Sequence, residues 1–391
     1  MASQKALIVG AGIGGLTASL CLADSGFDVE VFEQAEEIGE VGVGIQLSPN
    51  CSRVLHYLGL ESVLQATAFL PEVAEIRDWK SGKLLSSTPL GNAAVEQFGA
   101  PYYHIHRADL ISGLYEMARI NPRIKVHTGA RIEGFDAPLN GVVLNCNGKD
   151  VDGDLLVGAD GIHSVIRSEL FGDQESRFTG NVAWRGLVRA EKMPDGMIPP
   201  VAGLWWGPRK HFVHYYVRGG ELVNCVCVVE KSGWEVESWN EQGDLQELKE
   251  DFDGWDESIG LLIDAMDPNE CFKWALFDRA PMSSWGRGRI SLLGDACHAT
   301  LPFLAQGAAM AIEDAVVLAA CVEVEGIEPG LRKYETLRMP RTARIQGASR
   351  RNSRIFHMSG VKSWARNGIA GPAADKVLDW IYRYNPFDIP D

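Results

Sequence analysis

The 391-residue chain has no C-x-x-C pair, and its eight cysteines, Cys21, Cys51, Cys146, Cys225, Cys227, Cys271, Cys297 and Cys321, are scattered without matching histidine spacing. That pattern speaks against a disulfide framework and against a zinc site or other metal centre; it predicts reduced, mostly buried thiols in a cytoplasmic protein. Positive charge is scarce as well: 37 Lys and Arg against 52 Asp and Glu leave a formal net charge of −15. Nucleic acid and anionic membranes, which need clustered Lys and Arg, are therefore not expected partners. A small anion in a local basic pocket is still allowed. No apolar run is long enough to span a bilayer, and there is no internal repeat or low-complexity linker. The apolar stretch from Ala6 to Leu22 is interrupted by glycines, Thr17 and Ser19 and runs on into a strand pattern, so it does not read as a signal peptide. With 46% hydrophobic and 23% charged residues, the chain is a globular protein of one large or two ordinary domains, long enough to bury a core without staples.

Glycine is plentiful, and it is organised at the amino terminus. The run Ala6 to Val9 predicts a buried parallel strand, and Gly10, Gly12 and Gly15 supply a G-x-G-x-x-G spacing before a helix. Gly10 permits the tight turn, Gly12 a close approach of backbone to a pyrophosphate, and Gly15 packing of helix on sheet. The phosphates would sit on free N–H groups at the helix N-terminus. A second strand, Asp28 to Glu33, ends on an acid roughly 20 residues beyond the glycines, where a ribose is bound in such βαβ units. The spacing alone is weak; strand, turn, helix, strand and terminal acid together are not.

Further along, Gly39, Gly42 and Gly44 form a loop that either approaches a flat ligand or simply connects. Ser48-Pro49-Asn50 starts a helix, and Val73 to Leu90 alternates as a hairpin turning at Ser81-Gly82-Lys83. Arg107 opens a helix, where it would contact a phosphate or pair with Asp109. Asp154 to Arg167 is a second strand-turn-helix with Asp160-Gly161 at its turn, and an acid at a parallel strand's carboxyl end is a ligand position. From Asn181 to Glu230, short aromatic and β-branched runs predict an antiparallel sheet, with His211, Val213 and Tyr215 on one face and Phe212, His214 and Tyr216 on the other. Gly288 to Ala315 repeats the strand-loop-helix pattern, with Asp295 ending the strand and Gly307 opening a helix whose N–H groups face a ligand. His104, His106, His214 and His298 are expected to be structural.

These three segments, the Gly10 to Gly15 grip with Glu33, the Asp160-Gly161 turn and the Gly294-Asp295 strand end, resemble in order and spacing the single-component FAD-dependent aromatic hydroxylases. The resemblance covers nearly the whole chain. It implies an α/β fold: a Rossmann-like FAD-binding domain of the GR2 flavoprotein type, an intercalated antiparallel-sheet substrate domain, and C-terminal helices. The expected boundaries are 1–72, 101–178 and 281–345 for the first, 73–100 and 179–280 for the second, and 346–391 for the third.

The resemblance also implies the cofactor and its contacts. Gly10, Gly12, Ile13, Gly14, Gly15, Glu33 and Gln34 would hold the ADP half of FAD. Gly44, Ile45 and Arg107 would contact the cofactor, Asp160 and Gly161 would serve FAD and NAD(P)H, Asp295 the ribityl chain, and Pro302, Gly307 and Ala308 the flavin. There is no second G-x-G-x-x-G after a strand, and in this family NADH or NADPH binds without its own Rossmann fold. O2 is the other co-substrate, and hydroxylation runs through a flavin C4a-hydroperoxide.

The likeness is greatest to hydroxylases of salicylate, 3-hydroxybenzoate and 6-hydroxynicotinate. By that likeness His211 is the base for a phenol and Tyr215 its hydrogen-bond partner, while Gln46, Trp205 and Phe303 contact the substrate. Trp205, Trp206, Phe212, Leu301 and Phe303 would form a water-excluding lining. Gln46 and Phe303 depart from the hydroxynicotinate pattern and favour a hydroxybenzoate. An N-heteroaromatic hydroxylase, and from another class a flavin oxidase or reductase without oxygen insertion, are the alternatives. The partner is a small aromatic substrate, and dimers occur in this branch, leaving a homodimer open.

Overall fold

The computed structural model describes residues 3–39, 43–173, 176–231, 233, 241–360 and 377–390; Gly42, in the glycine loop, lies outside them. The fold grows from the amino-terminal strand Lys5–Val9, whose Ala6, Leu7 and Ile8 are completely buried. A strand buried on both faces must be covered on both, and its neighbours are parallel: Asp28–Phe32 on one side and Leu155–Gly158 on the other. Ile124–His127 and Ile290–Leu292 extend the parallel array, and Gly286–Arg287 closes one edge antiparallel. The sheet thus has six strands, with the amino-terminal strand near its middle.

The helix Ile13–Asp24 is apolar nearly all round and buried from Gly15 to Ala23, as a helix between layers must be. It packs against Arg107–Ile120 and Gly307–Glu325. The α/β class expected from the sequence is found.

A second sheet has seven strands, in the order Phe272–Asp278, Arg177–Arg189, Leu222–Glu230, Lys210–Val217, Val201–Gly207, Val73–Asp78, Leu84–Pro89. All its pairings are antiparallel except Val201–Gly207 with Val73–Asp78. Residues 73–89 therefore join a sheet built more than a hundred positions later. Alternation sorts its two faces. Trp184, Trp205, Phe212, Cys225 and Cys227 pack into a core with the helices Leu245–Asp251 and Glu257–Ala265. His211, Val213 and Tyr215 face the other way, toward the first sheet.

One unbroken helix, Ile327–Phe356, runs through the boundary expected at 345/346. Its Arg338, Thr342, Ile345, Gln346 and Ser349 are buried in the body of the protein, so position 346 is no break in packing. Among the described residues no helix is long and apolar enough to cross a membrane.

Candidate active site

The glycine turn shows which residues are required by packing and which by a ligand. Gly10 has φ +101°, and a Cβ there would lie 2.5 Å from the Ala159 carbonyl oxygen; one on Gly15 would lie 1.9 Å from the Gly10 carbonyl oxygen. Both positions are closed to any side chain by neighbouring backbone. A Cβ on Gly12 would meet no protein atom within 4 Å. Gly12 is also the N-cap of Ile13–Asp24, without a side-chain cap or an acid in the first turn, so the N-terminal N–H groups and the positive end of the helix dipole are left for an anion. Glu33 is held against this turn: its Oε2 accepts from Ala11 N at 2.8 Å and its Oε1 from Ala35 N at 2.9 Å. Each oxygen keeps acceptor capacity for a ribose hydroxyl.

The second and third motifs meet the first at the same sheet edge. Gly161 has φ +75°, and Asp160 Oδ2 accepts from Val165 N at 2.8 Å and Ile166 N at 3.2 Å, capping Val165–Phe171. Burial pushes the Asp160 carboxyl up from its ordinary range. Arg167 ties this motif to the next, donating to Ile162 O at 2.8 Å and Ala296 O at 2.9 Å. Asp295 begins the short helix Asp295–His298 after Gly294, whose φ is +66°.

Beneath it lies an ionic cluster that the sequence motifs did not assign. Asp314 accepts from Gly294 N at 3.2 Å, His298 Nε2 at 2.5 Å and Arg338 Nε at 2.7 Å. Glu313 accepts from Asn50 Nδ2 at 2.6 Å and from Arg341 at 2.7 and 2.8 Å, and pairs with Arg338 at 2.7 Å. Burial alone would push both carboxyls up; His298 and Arg338 at Asp314, and Arg338 and Arg341 at Glu313, outweigh it and hold both below the usual range. The signal is present in the sequence as an acid pair inside an apolar helix. His298 thus serves structure, as expected.

All of this opens on one cavity of about 1650 Å³, well above the roughly 300–1,000 Å³ of a pocket for one small ligand. Gly10, Gly12, Ile13, Gly14, Glu33, Gln34, Gly44, Ile45, Arg107, Asp160, Gly161, Asp295, Pro302, Gly307 and Ala308 line it. Gly15 does not; it packs behind the turn. Arg107 reaches the cavity from the first turn of its helix, and Asp109 pairs with Arg218 at 3.2 Å. A second helix N-terminus, that of Gly307–Glu325, also faces the cavity with no side-chain cap and no acid in its first turn. Asp160 Oδ1 is buried and has no hydrogen-bond partner among the described residues. Two uncapped helix ends, an unpartnered acceptor and an open Gly12 fit a long dinucleotide, with anionic groups at both helix ends.

The far end of the cavity is aromatic and polar. His211 and Tyr215 line it with Gln46, Arg185, Trp206, Trp274, Leu301 and Phe303. Gln46 Oε1 accepts from Tyr102 Oη at 2.8 Å. The Phe303 and His211 rings are 5.2 Å apart, and the Tyr215 and His104 rings 4.5 Å apart, tilted by 40°. Burial, and then the neighbouring His357, pushes the His211 imidazole well below its ordinary value, so it is neutral. Burial pushes the Tyr215 phenol up while Arg185 pulls it down; the net is upward, and Tyr215 keeps its proton.

Two expected lining residues are elsewhere. Trp205 and Phe212 point into the core of the second sheet, where Trp205 lies 5.9 Å from the Arg77 guanidinium. Adjacent strand residues face opposite sides, so Trp206 and not Trp205 meets the cavity. Arg185, missed in the sequence, follows the same rule: Trp184 is in the core and Arg185 in the cavity, 4.6 Å over the Trp274 ring.

Comparison with known proteins agrees with this geometry. The FAD binding domain family matches residues 3–349. A 3-amino-4-hydroxybenzoate 2-monooxygenase of Streptomyces platensis is 37% identical over 380 residues, spanning 96% of this chain and 94% of its own. A 3-hydroxybenzoate 6-hydroxylase of Polaromonas naphthalenivorans (strain CJ2) is 36% identical over 392 residues, spanning 98% and 97%. The crystal structure of Klebsiella pneumoniae HpxO complexed with FAD and uric acid aligns with a TM-score of 0.87 at 28% identity, over 99% of this chain and 97% of that one. The chain belongs to the FAD binding domain family, among its FAD-dependent aromatic monooxygenases that use NAD(P)H and O2.

Proposed function

We propose that the substrate is a phenolic aromatic carboxylate of the hydroxybenzoate type, and that His211 is the base for its hydroxyl. The observation that carries this is that a neutral imidazole, His211, and a guanidinium, Arg185, line the same cavity. FAD, which Gly12, Glu33 and the N-terminus of Gly307–Glu325 would hold, would supply the redox chemistry that links NAD(P)H and O2 to the ring. The protein's part is positional and electrostatic. His211 accepts the phenol proton, which raises electron density ortho and para to the oxygen. Tyr215, protonated, donates a hydrogen bond to the same oxygen, and Arg185 holds the carboxylate. Trp206, Leu301 and Phe303 keep water from the reacting centre. The N-terminus of Gly307–Glu325 would favour negative charge on a group bound there.

Relatives that are named for hydroxylating a 3-hydroxybenzoate and a 3-amino-4-hydroxybenzoate support this choice. Urate, an N-heteroaromatic, is the second reading, favoured by the likeness to HpxO with uric acid bound. We further propose a cytoplasmic enzyme, on the ground that all eight cysteines are free and seven of them buried, and a homodimer as in the branch it resembles, which sedimentation would test.

The test is NADH and NADPH oxidation by the FAD-loaded protein in aerated buffer with salicylate, 3-hydroxybenzoate, 3-amino-4-hydroxybenzoate, 6-hydroxynicotinate and urate. Stimulation by a phenolic carboxylate supports the proposal. Stimulation by urate alone would replace it with the second reading.

A further inference from the structure

His211 does not stand alone behind the cavity wall. Its Nδ1 lies 2.8 Å from His357 Nε2, and His357 Nδ1 lies 3.0 Å from Glu230 Oε1. The two imidazoles are buried and their rings are 5.1 Å apart. Glu230 ends the strand Leu222–Glu230 with a side chain 37% exposed, and its second oxygen meets the exposed Arg209 at 3.2 Å. Arg209, in the turn after Val201–Gly207 with φ +61°, also donates its backbone N–H to His357 O at 3.1 Å. An unbroken line of hydrogen-bonding atoms therefore runs from the cavity to the surface.

We propose that Glu230, acting through His357, sets the tautomer of His211 and carries the substrate's phenolic proton out of the cavity. The argument starts at the surface and moves inward. A carboxylate only accepts, so His357 must carry its proton on Nδ1, and its Nε2 is then a bare lone pair. That lone pair requires a donor, so His211 carries its proton on Nδ1. His211 Nε2 is left as the lone pair for the substrate hydroxyl, the form a base needs. The carboxylate thereby favours this tautomer over the one that presents N–H to the phenol.

The same chain moves a proton without leaving a charge beside the substrate. As the phenol proton reaches His211 Nε2, the Nδ1 proton passes to His357 Nε2, and the His357 Nδ1 proton passes to Glu230 Oε1. Both imidazoles end neutral in the other tautomer, and Glu230 ends as the acid, which exchanges with water. The reverse shift restores the chain when the product hydroxyl is reprotonated. Burial disfavours an imidazolium at His211, and concerted relay avoids forming one. His357 and Glu230 are on this account positioning residues, since neither touches the substrate. Glu230 meets the pair at His357, and Arg209 meets Glu230 in turn.

This inference rests on the assignment of His211 as base, and the experiment separates the two. The FAD-loaded enzyme is mixed with 3-hydroxybenzoate in weakly buffered solution containing a pH indicator, and the rate of proton release on binding is followed by stopped flow. Wild type, Glu230→Gln, His357→Gln and His211→Gln are compared. Glutamine at 230 or 357 can still accept the hydrogen bond that orients its neighbour, yet it cannot relay a proton, and Glu230 is exposed enough for its variant to fold. The account expects release slowed at least ~10-fold in all three variants, within the ~10²–10⁴-fold range of general-base effects, with FAD content unchanged. Slowed release in His211→Gln but wild-type release in the other two would overturn the relay and keep the base. Wild-type release in all three, or none in the wild type, would overturn both.

Discussion

An alanine methyl at position 15 would lie 1.9 Å from the Gly10 carbonyl oxygen, whereas one at position 12 would meet no protein atom within 4 Å. The two glycines therefore answer to different masters, the fold and the ligand. Gly15→Ala should destabilise the apoprotein by about 1–3 kcal/mol, the usual cost of overpacking, and lower FAD content with it. Gly12→Ala should leave the apoprotein's thermal midpoint unchanged and weaken FAD binding at least ~10-fold, about 1.4 kcal/mol. Melting of the apoprotein and titration with FAD check both; a Gly12→Ala apoprotein that melts early would contradict the division. At the other end of the cavity, His211→Gln should slow hydroxylation by roughly 10²–10⁴-fold with the flavin spectrum intact. Unchanged turnover at saturating substrate would remove His211 from the chemistry.

At the scale of elements, the site is built where three parallel strands end: Lys5–Val9 at the glycine turn, Leu155–Gly158 at Asp160, and Ile290–Leu292 at Asp295. Each is a local strand-turn-helix pattern, which is why these positions are legible in the sequence. Strand alternation likewise puts His211 and Tyr215 on one face. It does not say which face meets the cavity, so both of two adjacent tryptophans are candidates for the lining and only Trp206 reaches it. What is not legible comes from far along the chain. His357 meets His211 across 146 positions, and Arg338 meets Glu313 and Asp314 only because Ile327–Phe356 folds back over Gly307–Glu325. No local pattern encodes such contacts. Arg338 is fully buried between the two carboxylates, so Arg338→Met should leave both poorly compensated and cost about 3–5 kcal/mol. Urea unfolding of the FAD-loaded protein measures it, and a loss below about 1 kcal/mol would show that Arg341 and His298 suffice.

Over the whole molecule, the two sheets face each other across the cavity, one bringing the dinucleotide grip and the other the aromatic wall. Two buried histidines resist protonation. Burial, then His214, pushes His104 down to about 3, and burial, then Arg77, pushes His214 down to about 4, from an ordinary 6.5. Below pH 6.5 the unfolded chain binds protons at these groups and the folded protein does not, so stability falls as pH falls. Between pH 6.5 and about 4, each should remove about 1.4 kcal/mol per pH unit. Urea midpoints at pH 7, 6 and 5 test this, and a flat profile would mean that the histidines are charged in the folded state.

The central claim, an enzyme that puts an oxygen atom from O2 into a phenolic carboxylate, is tested most directly by turnover under isotopically heavy O2 with NADH and the stimulating acid, followed by mass analysis. The account predicts a product carrying one heavy oxygen atom, with the carboxyl retained for a 3-hydroxybenzoate or lost as CO2 for salicylate. NADH oxidation that yields only hydrogen peroxide, with the acid recovered unlabelled, would contradict it and leave a flavin oxidase.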